Sequence, residues 1–110
     1  MREIAEADWK LLRRLYSLAL DRFCQGVLSE VCRLAAAPDQ SSHQRYLAVF
    51  DAIHERNREI EETFDGLRRS TALLRLVSMR TKQLISEEEF SRFTAPTRDA
   101  IDAILAVRSA

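Results

Sequence analysis

The chain has 110 residues, 46% hydrophobic and 31% charged, with seventeen basic and seventeen acidic side chains and a formal charge of zero. That length is one domain, 1–110, able to bury a core without staples. The charge balance excludes a global attraction to nucleic acid or to an anionic membrane. Two Gly and two Pro stand among many Leu, Ala, Arg and Glu, and no segment alternates like a strand, so the class is all-α.

The N-terminal MREIAEADWK has no apolar run of the kind a secretory leader needs, and no stretch approaches a bilayer span. The expectation is a cytoplasmic protein with no membrane partner. Two cysteines, Cys24 and Cys32, lie about 12 Å apart along one helix axis, too far to bridge. They read as small buried hydrophobes in a reducing compartment. Arginine supplies nearly all of the basic residues, which suggests a GC-rich coding sequence and a bacterial source.

The first helix is expected over about 3–36. Trp9, Leu12, Tyr16, Ala19, Phe23, Val27, Val31 and Leu34 recur at steps of three and four and mark one face. Leu11, Leu15 and Leu18 widen that stripe in the first half, so this part should meet two neighbours. Gly26 reads as a tolerated helical glycine. Pro38 ends the helix by disfavouring helical geometry in the residue before it.

Ser41 and Gln44 have the spacing of a capping box opening a second helix over about 42–85. Tyr46, Phe50, Ile53, Asn57, Ile60, Phe64, Leu67, Thr71 and Leu74 alternate steps of four and three. Such a row is the signature of a coiled-coil seam. It crosses Gly66 without a change of phase. Asp65-Gly66 is a turn signal, yet the cap it implies would pair Leu67 with Glu61 or Glu62, which are not apolar. Asp65 also reaches Arg68 and Arg69 at helical spacing, and two arginines would oppose the dipole of a helix opening there. These points favour one continuous helix of about 65 Å, with a hairpin at Gly66 as the alternative. Asn57 on the seam is read either as a buried register-setting residue or as a solvated one.

Ser86 and Glu89 have the spacing of a second capping box, opening a short helix over about 87–93. Thr94 is expected to cap a last helix, with Pro96 in its first turn and Ala100, Ile101, Ile104, Leu105 and Val107 on its apolar side. The architecture is an elongated bundle of two long antiparallel helices plus two short C-terminal ones. Its thin distal part leaves an apolar seam to cover, and a two-fold homodimer is the simplest cover. The expected interface is Tyr46, Phe50, Ile53, Asn57, Ile60, Phe64 and Leu67.

Chemistry is sparse. His54-Glu55-Arg56-Asn57-Arg58 lacks the second histidine that a zinc-protease helix needs, and His43 lies about 16 Å from His54 along the axis. Neither histidine follows a glutamate at the di-iron spacing. Glu61-Glu62 and Glu87-Glu88-Glu89 sit beside arginines as salt-bridged faces. There is no phosphate loop and no nucleophile elbow. The expectation is therefore no enzyme, no cofactor and no metal. The function read from these features is protein–protein interaction of a scaffold, adaptor or regulatory kind. A rival reading takes Arg68, Arg69, Arg75, Arg80 and Lys82, on a segment free of acids, as an anion or nucleic-acid contact. A second rival is a small-molecule or metal site in the bundle.

Overall fold

The computed structural model describes residues 3–109, which form five helices. α1 is Glu6–Ala35, α2 Ser42–Thr63, α3 Ala72–Thr81, α4 Glu87–Ser91 and α5 Ala95–Ser109, with no strand among the described residues. The molecule measures 52 × 30 × 24 Å. α1 and α2 pair antiparallel. The first half of α1 joins α3, α4 and α5 in a head, and the second half of α1 with most of α2 projects from it as a two-helix arm. The elongated all-α bundle agrees with the sequence.

The core lies in the head. Leu12, Ala19, Ala72, Leu76, Val77, Met79 and Ile101 are wholly buried there, with Phe64, Ile85 and Phe93 nearly so. The wide stripe on early α1 serves this core through Leu11, Leu12 and Leu15, but Leu18 lies outside it, 42% exposed.

The favoured continuous helix over 42–85 is corrected: α2 stops at Thr63. Gly66 takes a left-handed φ of 67°, and the chain turns. The cap comes from distant residues. The Phe64 ring is buried edge-on to Tyr16, with centroids 5.6 Å apart, and beside Phe23 at 6.1 Å. The Tyr16 hydroxyl donates to the Phe64 carbonyl at 3.2 Å. The Arg75 guanidinium donates to the Glu62 carbonyl, placing a cation at the negative end of α2. The Thr71 hydroxyl bonds the Gly66 and Arg68 carbonyls at 3.1 Å and accepts from the Arg68 N–H, which folds the connection. The 66–85 segment is thus a loop followed by α3, and α3 ends before another left-handed residue, Gln83, at φ 59°.

Both capping boxes form. Ser41 and Gln44 exchange bonds of 2.9 and 3.1 Å, as do Ser86 and Glu89 at 2.8 and 3.1 Å. Glu89 has a second task. Arg22 grips it through two bonds of 2.6 and 3.0 Å and also donates to the Leu84 carbonyl at 2.8 Å, tying the middle of α1 to α4. At α5 the Thr94 hydroxyl does not turn inward as a simple cap. It donates to Asp8 at 2.6 Å, the Thr94 N–H donates to the same carboxylate at 2.9 Å, and the Thr97 hydroxyl joins at 2.6 Å. Asp8 is 1% exposed and sits where the first turn of α5 presents its free N–H groups, so its charge is placed well.

Three stability effects are expected in urea unfolding. Gly66→Ala destabilises by about 1 kcal/mol through backbone conformation alone, because a Cβ there meets only Arg75 Nη2, at 3.9 Å. Gln83→Gly acts in the opposite sense, by up to about 1 kcal/mol, for the same reason. Asp8→Ala lowers stability by about 2 kcal/mol, since the buried Thr97 hydroxyl and two part-buried Thr94 donors lose their acceptor.

The Arg22 hydrogen bond holds the Glu89 carboxyl down at about 2, against an ordinary value of 4.5. A lowered folded-state value stabilises the fold above pH 4.5, and this contribution fades as pH falls toward about 2. With Arg22 one-third exposed and screened, it amounts to roughly 2 kcal/mol. Glu89→Gln, which keeps an acceptor for the Ser86 N–H, should flatten that acid limb in stability measured against pH.

Candidate interaction surface

The arm has two unlike sides, set by helical geometry. Val27 of α1 and Arg56 of α2 line grooves on both sides of the pair, so they mark its plane of contact. On one side, Glu30, Arg33, Glu59 and Lys82 border a polar groove of about 600 Å³. Arg56 pairs with Glu59 there at 2.5 Å and lies 3.8 Å from Glu30, and Lys82 lies 4.0 Å from Glu59. Arg56, Lys82, Glu30 and Glu59 thus form a network of ion pairs, within which Arg56 Nε and Glu59 Oε2 have no hydrogen-bond partner.

The other side is apolar. Cys24, Leu28 and Val31 of α1 and Ile53, Asn57 and Ile60 of α2 line a groove of about 290 Å³. Large side chains stand open along it and beyond it toward the tip: Tyr46 is 67% exposed, Leu28 64%, Phe50 58% and Ile53 42%. Solvated faces of small helical proteins seldom gather so many, and a contiguous apolar patch marks a contact surface. The His54 ring stacks on Phe50 at 6.2 Å, widening the patch at its edge.

The row expected as an interface changes role along its length. Tyr46, Phe50, Ile53 and Asn57 are exposed together on the open side, and Ile60 is half-buried at the base of the arm. Phe64 and Leu67 belong instead to the head: Phe64 is core, and Leu67 packs against it. α1 meets α2 through a neighbouring row that includes Val49, Ala52, Arg56 and Thr63, all at least half-buried. Leu28 and Leu47 were not among the expected contacts. Leu28 follows Val27 on the outer edge of the α1 stripe, and Leu47, next in sequence to Tyr46, projects about 100° around α2 from the seven-residue row.

The five basic residues of 66–85 are dispersed. Arg69 donates to the Ile4 carbonyl at 3.0 Å, and Arg75 serves the end of α2. Arg80 bonds the Ile85 carbonyl and Glu87 at 2.9 and 2.7 Å and covers the Phe90 ring at 4.2 Å. Lys82 donates to the Ser78 hydroxyl at 3.3 Å. Arg68 lies exposed in the loop. Cys24 and Cys32 are free thiols, and their expected burial is corrected: Cys24 is half-buried at the apolar groove and Cys32 is exposed, because the arm has no third helix to cover that part of α1. Among the described residues no three metal-ligating side chains converge, and no helix is long and apolar enough to cross a membrane. No protein-family model, curated protein or solved structure matches the chain at a significant level.

Proposed function

We propose that this protein works by protein–protein interaction, in a scaffold, adaptor or regulatory role, and that it self-associates through the apolar side of its arm. The observation that carries this reading is the alignment of Leu28, Tyr46, Phe50 and Ile53, all exposed, on one side of an arm with little core of its own. A two-helix unit of this kind gains most by adding helices across its open face. The reading has no catalytic step and no cofactor. It assumes a reducing, cytoplasmic setting in which Cys24 and Cys32 remain thiols. The nucleic-acid alternative is weakened by the internal engagements of Arg69, Arg75, Arg80 and Lys82.

Light scattering after size exclusion tests the reading. The expected mass is twice 12.7 kDa, and a mass of 12.7 kDa at every concentration overturns self-association. Phe50→Glu should return the mass to one chain while helix content by circular dichroism stays unchanged, because Phe50 lies outside the core. Glu55→Lys, on an exposed position away from the apolar side, should leave the doubled mass intact.

A further inference from the structure

We infer that the second copy lies antiparallel, α2 against α2, in the register that sets Tyr46 of each chain against Asn57 of the other and Phe50 against Ile53. This rests on the self-association proposed above and specifies its geometry.

Charge points to a second copy as the occupant. Between His43 near the tip and Glu61 near the head, the α2 row carries Tyr46, Phe50, Ile53, Asn57 and Ile60 and no charged group. Arg56, the one charged residue lining the groove, is held by Glu59 and Glu30, so a charged partner finds no free counter-charge, whereas an uncharged apolar face of the same length matches it. The same face on another copy is such a surface, and two-fold symmetry presents it automatically. Parallel pairing would set Glu61 beside Glu61. Antiparallel pairing brings Glu61 beside His43 instead.

Helical geometry limits the register. Tyr46, Ile53 and Ile60 form one class of seam position, and Phe50 and Asn57 the other. In an antiparallel pair each class faces the other, so the choices differ by seven residues. Moving one step toward the heads sets Phe50 against Ile60 but drives Tyr46 toward Phe64, which is 1% exposed inside the head. Moving one step toward the tips sets Phe50 against Tyr46 and carries Asn57 past the start of α2 at Ser42, leaving the groove uncovered. The middle register avoids both faults.

It also makes the faces complementary. Leu28 and Asn57 line the same groove, so they lie at one level of the arm. Tyr46 of the second copy arrives at that level. Its ring enters the groove over Leu28, which covers the two most exposed aliphatic and aromatic residues of the patch with each other. Its hydroxyl meets the Asn57 carboxamide, giving a polar group among apolar neighbours a partner. One such pair is enough to fix a register. Phe50, backed by His54, packs on Ile53 on both sides of the two-fold axis.

The test uses chains carrying Cys24→Ala and Cys32→Ser, shown by light scattering to remain dimeric when reduced. Tyr46→Cys and Asn57→Cys are placed on separate chains. Mixing followed by mild oxidation should give a covalent heterodimer, while each variant alone stays uncrosslinked, because identical positions lie about 16 Å apart along the axis. Nitroxides at the exposed positions Ser42 and Glu62 give a second reading that leaves the apolar face untouched. The inferred register predicts nearly equal axial separations of about 28 and 32 Å, while either neighbouring register makes them differ by about 18 Å or more. Self-crosslinking of Asn57→Cys, or clearly unequal nitroxide distances in a protein of doubled mass, overturns the register and leaves self-association standing. A single-chain mass with no crosslink in any mixture overturns both.

Discussion

The structure depends on how α2 ends. A helix with an uninterrupted apolar row has only the Asp65-Gly66 turn signal as a local reason to stop at Thr63, and a stop leaves carbonyls without partners. The partners come from elsewhere in the chain: the Tyr16 hydroxyl for Phe64 and the Arg75 guanidinium for Glu62. Burial of the Phe64 ring between Tyr16 and Phe23 fixes the point at which the row turns inward. Everything after it, the loop through Gly66, the return of α3 and the docking of α5, is free to build a head because α2 ends there. Without that stop the apolar residues of α3 would extend along the same axis and could not reach α1.

The division into head and arm explains the uneven chemistry of the surface. Within the head, polar groups near the core are committed to particular partners: Asp8 to Thr94 and Thr97, Thr63 to Ser78, Glu89 to Arg22. The arm has no such core. Its two helices meet through small and charged side chains, and the larger apolar ones face outward on one side. Sequence hydrophobicity alone does not separate the two sets, since a row of Tyr46, Phe50 and Ile53 has the same period whether a helix covers it or not.

Features encoded within four residues were legible. The all-α class follows from composition and helix propensity, and the capping boxes at Ser41 and Ser86 from local side-chain-to-backbone bonding. Features that depend on distant groups were not. Asp65-Gly66 gave a correct turn signal, but the usual local cap contact was missing, and its replacement came from α1 and α3. The pairing of Asp65 with Arg68 and Arg69 argued for continuity only because nothing local announced that Arg69 would serve Ile4. Gln83 shows the same limit, as a left-handed glutamine carries no turn signature. Of the candidate surface, Tyr46, Phe50, Ile53 and Asn57 were visible through their period, while Leu28 required knowing which edge of α1 faces away from α2.

The Asp8 clamp reaches across 86 residues to Thr94 and 89 to Thr97. Contacts of that span cannot form on a ribosome until Thr94 and Thr97 have emerged, and loops so long are slow to close. The α1–α2 hairpin, whose partners are close in sequence, is complete much earlier in synthesis. For that interval the nascent chain carries both the bare apolar side of the arm and the unfinished stripe of early α1, so folding is exposed to premature association until α5 docks on Asp8.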